Sequence, residues 1–284
     1  MTRYLITGAG GMLGRDLQEL LVGHPVTALG HAALDITNAH AVADAMAGHD
    51  VIINTAAYTR VDDAEAHERE ATRVNGLGPA VLARAAAATG TRLVQVSTDY
   101  VFDGTTKSPY DENALLAPVS AYGRSKAEGE RRARAEHPKG TLIVRSAWLY
   151  GQHGANFAAT MLRLAAECDT LSVVDDQRGQ PTWTRDLAAQ IVALVESGAQ
   201  SGVFHGTSSG ETTWFGFARA VFEKAGLDPE RILPTDSAAF VRPAPRPAYS
   251  VLGHEAWRGI GLAPIRHWRE ALAEAVSVGA VAAP

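Results

Sequence analysis

Tyr122 and Lys126 stand four residues apart in the segment Ser120-Ala121-Tyr122-Gly123-Arg124-Ser125-Lys126. On a helix this spacing puts both side chains on one face. A phenol with an ordinary pKa of about 10 is a poor proton donor at neutral pH. An ammonium beside it stabilises the phenolate and lowers that pKa, which brings the group into range as a general acid. The same ammonium can also reach a nicotinamide ribose. Thr98 follows the strand-like run Leu93–Ser97, and a hydroxyl at a strand end can hold a carbonyl oxygen. A threonine there can equally bond its own backbone.

The proton donor needs a hydride source, and the N-terminus offers a place for one. An apolar run, Tyr4–Thr7, leads into Gly8-Ala9-Gly10-Gly11-Met12-Leu13-Gly14. Glycine at 8 permits a sharp turn at positive φ, glycine at 11 lets the backbone approach a pyrophosphate, and glycine at 14 lets a helix pack close. The helix start then offers free N–H groups to phosphate. The spacing is GxxGxxG, which a plain strand-turn-helix also produces. After the second strand a carboxylate is expected to grip the adenosine ribose. Gly30-His31 stand there instead, with Asp35 and Ile36 following. Asp35 can face the adenine or cap the next helix, a task for which Thr37 and Asn38 are better placed.

These residues must be carried by regular elements. Strand-like runs at Tyr4–Thr7, Val26–Leu29, Val51–Asn54, Leu93–Ser97 and Leu142–Arg145 alternate with helical patterns at Met12–Val22, Ala39–Ala47, Ala64–Thr89 and Ala121–Glu136. Such alternation predicts βαβ units on a doubly wound parallel sheet, a Rossmann arrangement of the α/β class. Beyond Tyr150 the regularity weakens. Helices are expected near Phe157–Glu167, Thr184–Glu196, Trp214–Ala225 and Ile265–Val276, with strands at Leu171–Val174 and Val203–His205. The proline-rich stretch Pro234–Pro247 reads as an ordered loop across a cleft. This divides the chain into a dinucleotide-binding part, residues 1–150, and a mainly substrate-binding part, residues 151–284, interleaved with the first.

Composition sets limits. The chain has 284 residues, net charge −5 and 46% hydrophobic residues. That balance disfavours nucleic acid as a partner. No apolar run is long enough to span a membrane, and the N-terminal one is too short for a signal peptide. A single cysteine, Cys168, excludes an internal disulfide and suits a reducing cytoplasm; it reads as a packing residue.

The set Thr7-Gly8-x-x-Gly11-x-x-Gly14, Thr98 and Tyr122-x-x-x-Lys126 resembles an extended short-chain dehydrogenase/reductase. Longer phrases resemble one branch, the dTDP-4-dehydrorhamnose reductases. These are Leu34-Asp35-Ile36-Thr37, Asn54-Thr55-Ala56-Ala57-Tyr58-Thr59, Val61-Asp62, Ser97 to Gly104, Arg145 to Gly151, Asn156-Phe157, Gln180-Pro181-Thr182 and Arg246-Pro247. The resemblance implies NADPH- or NADH-dependent reduction of the C4 ketone of a dTDP-6-deoxy-hexulose. It implies Gly8, Gly11, Met12, Leu13, Asp35, Ile36, Ala57, Tyr58, Thr59, Tyr122 and Lys126 at the cofactor. Thr98, Asp99, Trp148, Asn156 and Arg246 would hold the substrate, Thr98 joining Tyr122 and Lys126 in catalysis. A guanidinium fork suits a diphosphate, although Arg246 also fits a solvated loop and Trp148 an ordinary core. Many relatives carry a basic residue where Gly30-His31 stand, so discrimination between the two cofactors is expected to be relaxed. Some relatives are described with a magnesium-bridged dimer built on glutamates. Asp16 and Arg185 occupy two of those positions, so no metal is expected. A homodimer is compatible with the resemblance, and the residues themselves are silent on it.

Two rivals accompany this reading. One is the same chemistry on another dTDP-4-ketosugar of a deoxysugar pathway. The other is a non-catalytic NAD(P)-binding regulatory subunit, which would be free to lose Thr98, Tyr122 and Lys126. All three are present.

Overall fold

The computed structural model describes residues 1–281. Six parallel strands make the central sheet: β1 (Tyr4–Thr7), β2 (Val26–Leu29), β3 (Val51–Asn54), β4 (Arg92–Thr98), β5 (Thr141–Ser146) and β6 (Gly202–His205). Their order is β6-β5-β4-β3-β1-β2. β1, β3 and β5 are buried along their whole length, which is why they read as continuous apolar runs rather than alternating ones. β1 sits between β3 and β2, so the chain winds outward from it in both directions and a crevice opens beyond the carboxyl ends of the strands.

The helices of eight or more residues are α1 (Met12–Leu20), α2 (Ala39–Met46), α3 (Gly78–Thr89), α4 (Ala121–Glu136), α5 (Phe157–Glu167), α6 (Thr184–Glu196), α7 (Trp214–Lys224) and α8 (Trp268–Ser277). The two-residue period of the strands sends Tyr4, Ile6, Ile53 and Val94 to one face of the sheet, against Leu13 and Leu17 of α1 and Leu187 and Ile191 of α6. Leu5, Ile52 and Leu93 face the other way, against α2 and α3. A third core lies entirely beyond Leu149 and gathers Tyr150, Met161, Trp183, Phe217, Phe222, Trp268 and Leu272. The C-terminal half thus builds its own core, yet it also returns β6 and α6 to the central sheet.

Two expectations are corrected. The stretch Ala64–Thr89 is not one helix: it divides into Asp63–Ala66, Glu68–Thr72, a π-helical turn Arg73–Leu77 and α3. Pro79 at the start of α3 has no N–H to give the preceding turn, and its ring crowds the carbonyl four residues back. Cys168, expected to pack, is exposed at the C-terminal end of α5. Among the described residues no helix is long and apolar enough to cross a membrane.

α4 carries the Tyr122–Lys126 pair and is fixed at its start and past its middle. Ser120 caps it, its Oγ accepting from the Gly123 N–H at 3.1 Å. Two turns beyond Tyr122, the buried Glu130 carboxylate accepts from Ser97 Oγ of β4 at 2.5 Å and from Arg145 Nη2 of β5 at 2.8 Å. Arg145 and Glu130 are only 3% and 2% exposed. Removing one partner of a buried pair leaves the other charge without compensation, which costs about 3–5 kcal/mol. Arg145→Ala should therefore lower unfolding stability by about that amount in urea titration. A loss below about 1 kcal/mol, the ordinary worth of an exposed pair, would show that the pair does not brace the sheet.

Candidate active site

Three cavities follow one another along the crevice. The first, about 370 Å³, is lined by Gly8, Gly11, Gly30, His31, Asp35, Ile36, Ala57, Thr59 and Arg73 among others. The second, about 490 Å³, shares Gly11, Ala57 and Thr59 with it and adds Met12, Leu13, Thr98, Asp99, Tyr122, Lys126 and Trp148. The third, about 460 Å³, meets the second at Tyr100. Its walls include Phe157, Met161, Leu164, Val173, Trp214 and Phe240, with Arg242 and Arg246 at its edge.

The glycine turn shapes the seam between the first two. Gly8 has φ +71°, and a Cβ there would lie 2.5 Å from the Ala56 nitrogen. A Cβ on Gly14 would lie 2.7 Å from the Gly8 carbonyl oxygen. Gly11 precedes α1 in an extended conformation and gives no side-chain cap. The first N–H groups of α1 are thus unclaimed by a cap, and the helix dipole adds positive potential at that spot. A narrow, uncapped helix start between two cavities fits a dinucleotide pyrophosphate.

At the far end of the first cavity, Asp35 Oδ1 accepts from the Thr37 N–H at 2.9 Å and Thr37 Oγ1 at 2.8 Å. The Thr37 backbone bond is the main reason the Asp35 carboxyl sits below the usual range. Asn38, rather than Asp35, caps α2. Arg73 reaches this end beside His31, a contact that the sequence did not signal because the residue comes from the π turn. Its fork is committed: Nε and Nη2 donate to Glu70 at 2.9 Å each, and Nη1 donates to Thr37 Oγ1 at 2.5 Å.

In the second cavity the structure brings Thr98, Asp99, Tyr122 and Lys126 together. Lys126 Nζ donates to the Val96 carbonyl of β4 at 2.7 Å. Burial pulls the Lys126 pKa down to about 8, against the opposing charge of Glu130 one turn away. Burial pushes the Tyr122 phenol upward; the Asp99 charge adds to this, while the Thr98 hydroxyl pulls the other way. The expectation that Lys126 depresses the phenol is corrected in this arrangement. Its ammonium is turned to a backbone carbonyl, and Tyr122 is held as the neutral, proton-bearing form. Asp99 is buried, accepts from Thr98 Oγ1 at 2.9 Å, and is pushed up to about 6 by that burial.

Other expected residues divide. Trp148 lines the second cavity with φ +47°, the one left-handed non-glycine among the described residues. Its ring stacks on Trp214 at 3.7 Å and 11°. Such a conformation costs on the order of 1–3 kcal/mol and persists where packing enforces it, commonly at functional sites. Tyr58 does not line the cavities: its phenol hydrogen-bonds Asp63, and only the flanking Ala57 and Thr59 remain on the wall. Its backbone is clamped by Asn75, whose Oδ1 accepts from the Tyr58 N–H at 2.8 Å and whose Nδ2 donates to Ser125 Oγ of α4 at 2.9 Å. Asn156 is also absent from the walls. Its Oδ1 caps α5 by accepting from the Ala159 N–H at 3.0 Å, and its Nδ2 donates to the Gly151 carbonyl at 2.9 Å.

Asp16, Glu19 and His153 bring ligand atoms within 4.8 Å of one another. Magnesium wants oxygen ligands in octahedral array. Here one candidate ligand is an imidazole, and Arg185 already stands 3.3 Å from Glu19, so the set does not fit that ion.

The state of Lys126 has a measurable consequence. Its ammonium is present below about pH 8 and lost above it. Because kcat/KM reports ionisations of the free enzyme, it should fall on the alkaline side of about pH 8. Lys126→Arg, always charged, should remove that limb whatever its absolute rate. A wild-type profile flat to pH 9.5, about 1.5 units above the expected midpoint, would contradict the assignment.

Comparison with known proteins agrees with this geometry. The family model described as RmlD substrate binding domain matches residues 2–280. A Streptomyces niveus protein named dTDP-4-keto-6-deoxy-D-glucose reductase is 52% identical over 277 residues, covering 96% of each chain. A Streptomyces griseus dTDP-4-dehydrorhamnose reductase is 50% identical over 280 residues, 96% of this chain and 92% of its own. The crystal structure of dTDP-4-dehydrorhamnose reductase from Bacillus anthracis in complex with NADP superposes with a TM-score of 0.94 at 37% identity, over 98% of this chain and 100% of that one. Fold, site and matched length together make this chain a member of the RmlD substrate binding domain family, within the extended short-chain dehydrogenase/reductases.

Proposed function

We propose that the chain is an oxidoreductase that uses NADPH or NADH to reduce the C4 ketone of a dTDP-4-keto-6-deoxy-L-hexose, dTDP-4-dehydro-L-rhamnose giving dTDP-L-rhamnose. One observation carries the reading. The cavity holding Thr98, Tyr122 and Lys126 adjoins the uncapped helix start on one side and an apolar, arginine-edged cavity on the other. Residues 1–150 hold the dinucleotide, and residues 151–284 mainly hold the nucleotide sugar. Gly8, Gly11, Met12 and Leu13 seat the pyrophosphate and neighbouring groups, Asp35 and Ile36 the adenosine, and Ala57 and Thr59 the middle.

The reduced nicotinamide, when bound, supplies the hydride. Tyr122 gives its proton to the oxygen of the sugar C4 as that oxygen gains negative charge. A buried neutral phenol remains protonated at neutral pH, so the proton is in place before reaction, and an alkoxide is basic enough to take it. The Thr98 hydroxyl swings from Asp99 to orient the same oxygen, since a hydroxyl proton rotates freely about its C–O bond. Lys126 holds the ribose. Trp148 and Asp99 wall the sugar. The Arg242–Arg246 edge meets the diphosphate, and binding energy from that remote group orients the reacting carbon.

A second reading is the same chemistry on another dTDP-4-ketosugar. It is favoured by the 52% identity to a protein named as reducing dTDP-4-keto-6-deoxy-D-glucose. The two separate on a panel of dTDP-ketosugars with both cofactors, followed by loss of nicotinamide absorbance. Turnover of the L-configured substrate, and little of the free sugar, is the expected result; equal rates on free ketosugar would overturn the nucleotide assignment.

Tyr122→Phe should lower kcat by about 10²–10⁴-fold, the usual worth of general acid catalysis, with cofactor affinity little changed. Lys126→Met should harm both. Steady-state kinetics beside nicotinamide-fluorescence titration reads both quantities. Near-normal kcat in Tyr122→Phe with chemistry rate-limiting would remove Tyr122 from the mechanism.

A further inference from the structure

Asp62 lies just beyond Ala57, Thr59 and Val61, which line the central cavity. On it converges the loop that carries Arg242 and Arg246. Arg246 Nη1 donates to Asp62 Oδ1 at 2.5 Å and Nη2 donates to Oδ2 at 2.9 Å. The Ala244 N–H donates to Oδ1 at 3.3 Å, and Arg242 Nη1 stands 3.6 Å from Oδ2. Arg246 secures its own loop by a further bond from Nη1 to the Ala244 carbonyl at 2.7 Å. Three residues of one loop are thereby tied to a single carboxylate 180 to 184 positions away.

The donor inventory of Arg246 shows what this leaves. A guanidinium has five N–H bonds. Both on Nη1 and one on Nη2 are used in the contacts above, which leaves the Nε edge and the second Nη2 hydrogen to be shared between the Tyr100 phenol, a further partner of the guanidinium, and a ligand. That edge is itself a two-donor fork of the kind that grips a phosphate. Arg246 lines the third cavity together with Tyr100 and Arg242.

The geometry points to Asp62 as a positioning residue that aims the Nε edge of Arg246 at the diphosphate of a nucleotide-sugar ligand. This rests on the reading of the third cavity as the nucleotide end of the site. Asp62 touches neither sugar nor cofactor; it acts through Arg246 and the loop. Its negative charge opposes an anionic ligand, but two arginines stand against it and offset that charge. Tethering weighs more. An untied loop and a long arginine side chain would have to be ordered anew at each binding event.

The test is calorimetric titration of dTDP into the full-length chain, beside fluorescence titration of NADPH. Asp62→Ala should weaken dTDP about tenfold or more and leave NADPH affinity within about twofold. In an Arg246→Ala background the same change should cost nothing further, because its route to the ligand has gone. Asp62→Glu, which can still offer a bidentate carboxylate, should recover part of the affinity, and Asp62→Asn replaces the alanine variant should that one not fold. Unchanged or tighter dTDP binding in Asp62→Ala, or losses that add in the double variant, would overturn the inference while leaving the proposed function standing. A wild-type chain that binds no dTDP would overturn both.

Discussion

A single buried carboxylate holds the reactive end of this molecule together. Glu130 reaches from α4 to Ser97 of β4 and Arg145 of β5, and those contacts set where the helix lies on the sheet. Tyr122 and Lys126 share the helix with it, while Ser97 immediately precedes Thr98. The proposed proton donor, the ammonium and the proposed orienting hydroxyl therefore take their relative positions from one ion-paired hub. The hub is expensive, because two charges are taken out of water. Its return is geometric: a helix and two strands locked in register where small displacements cost catalysis.

The same economy recurs away from the hub. Asn75 sits in the π turn that precedes Pro79 and bonds both the Tyr58 backbone and Ser125 of α4. The wall that Ala57 and Thr59 form and helix α4 are thus spaced by one amide. On the opposite wall, Trp148 is held in a left-handed conformation by its stack on Trp214. Trp214 begins α7 and packs against the C-terminal core. The two halves of the chain meet at this stack, so the shape of the sugar-side wall depends on a core built almost entirely from residues beyond 149.

Much of this was readable from the residues. The glycine turn, the five N-terminal strands and the Tyr122–Lys126 spacing are local patterns with local physical causes, and they appear where expected. What local pattern could not supply were side-chain directions set by distant partners. Tyr58 lies in a cofactor-like phrase but turns its phenol to Asp63. Asn156 reads as a polar group for substrate yet spends its amide on a helix cap. Arg73 gives no sign in a helical stretch, and only the π turn brings it beside His31. The influence of Lys126 on Tyr122 was inferred from spacing alone. Spacing says that two groups share a face; it does not say that the ammonium prefers the Val96 carbonyl.

The central claim is that hydride reaches the sugar C4 in a cavity where Tyr122 supplies the proton. It is tested most directly by isotope transfer. The chain is incubated with dTDP-4-dehydro-L-rhamnose and nicotinamide cofactor carrying deuterium at both hydrogen positions of its reactive carbon, and the product is read by NMR and mass spectrometry. The account predicts dTDP-L-rhamnose with a single deuterium at C4 of the sugar. Product lacking deuterium at C4, or oxidised cofactor formed with no reduced sugar, would contradict it.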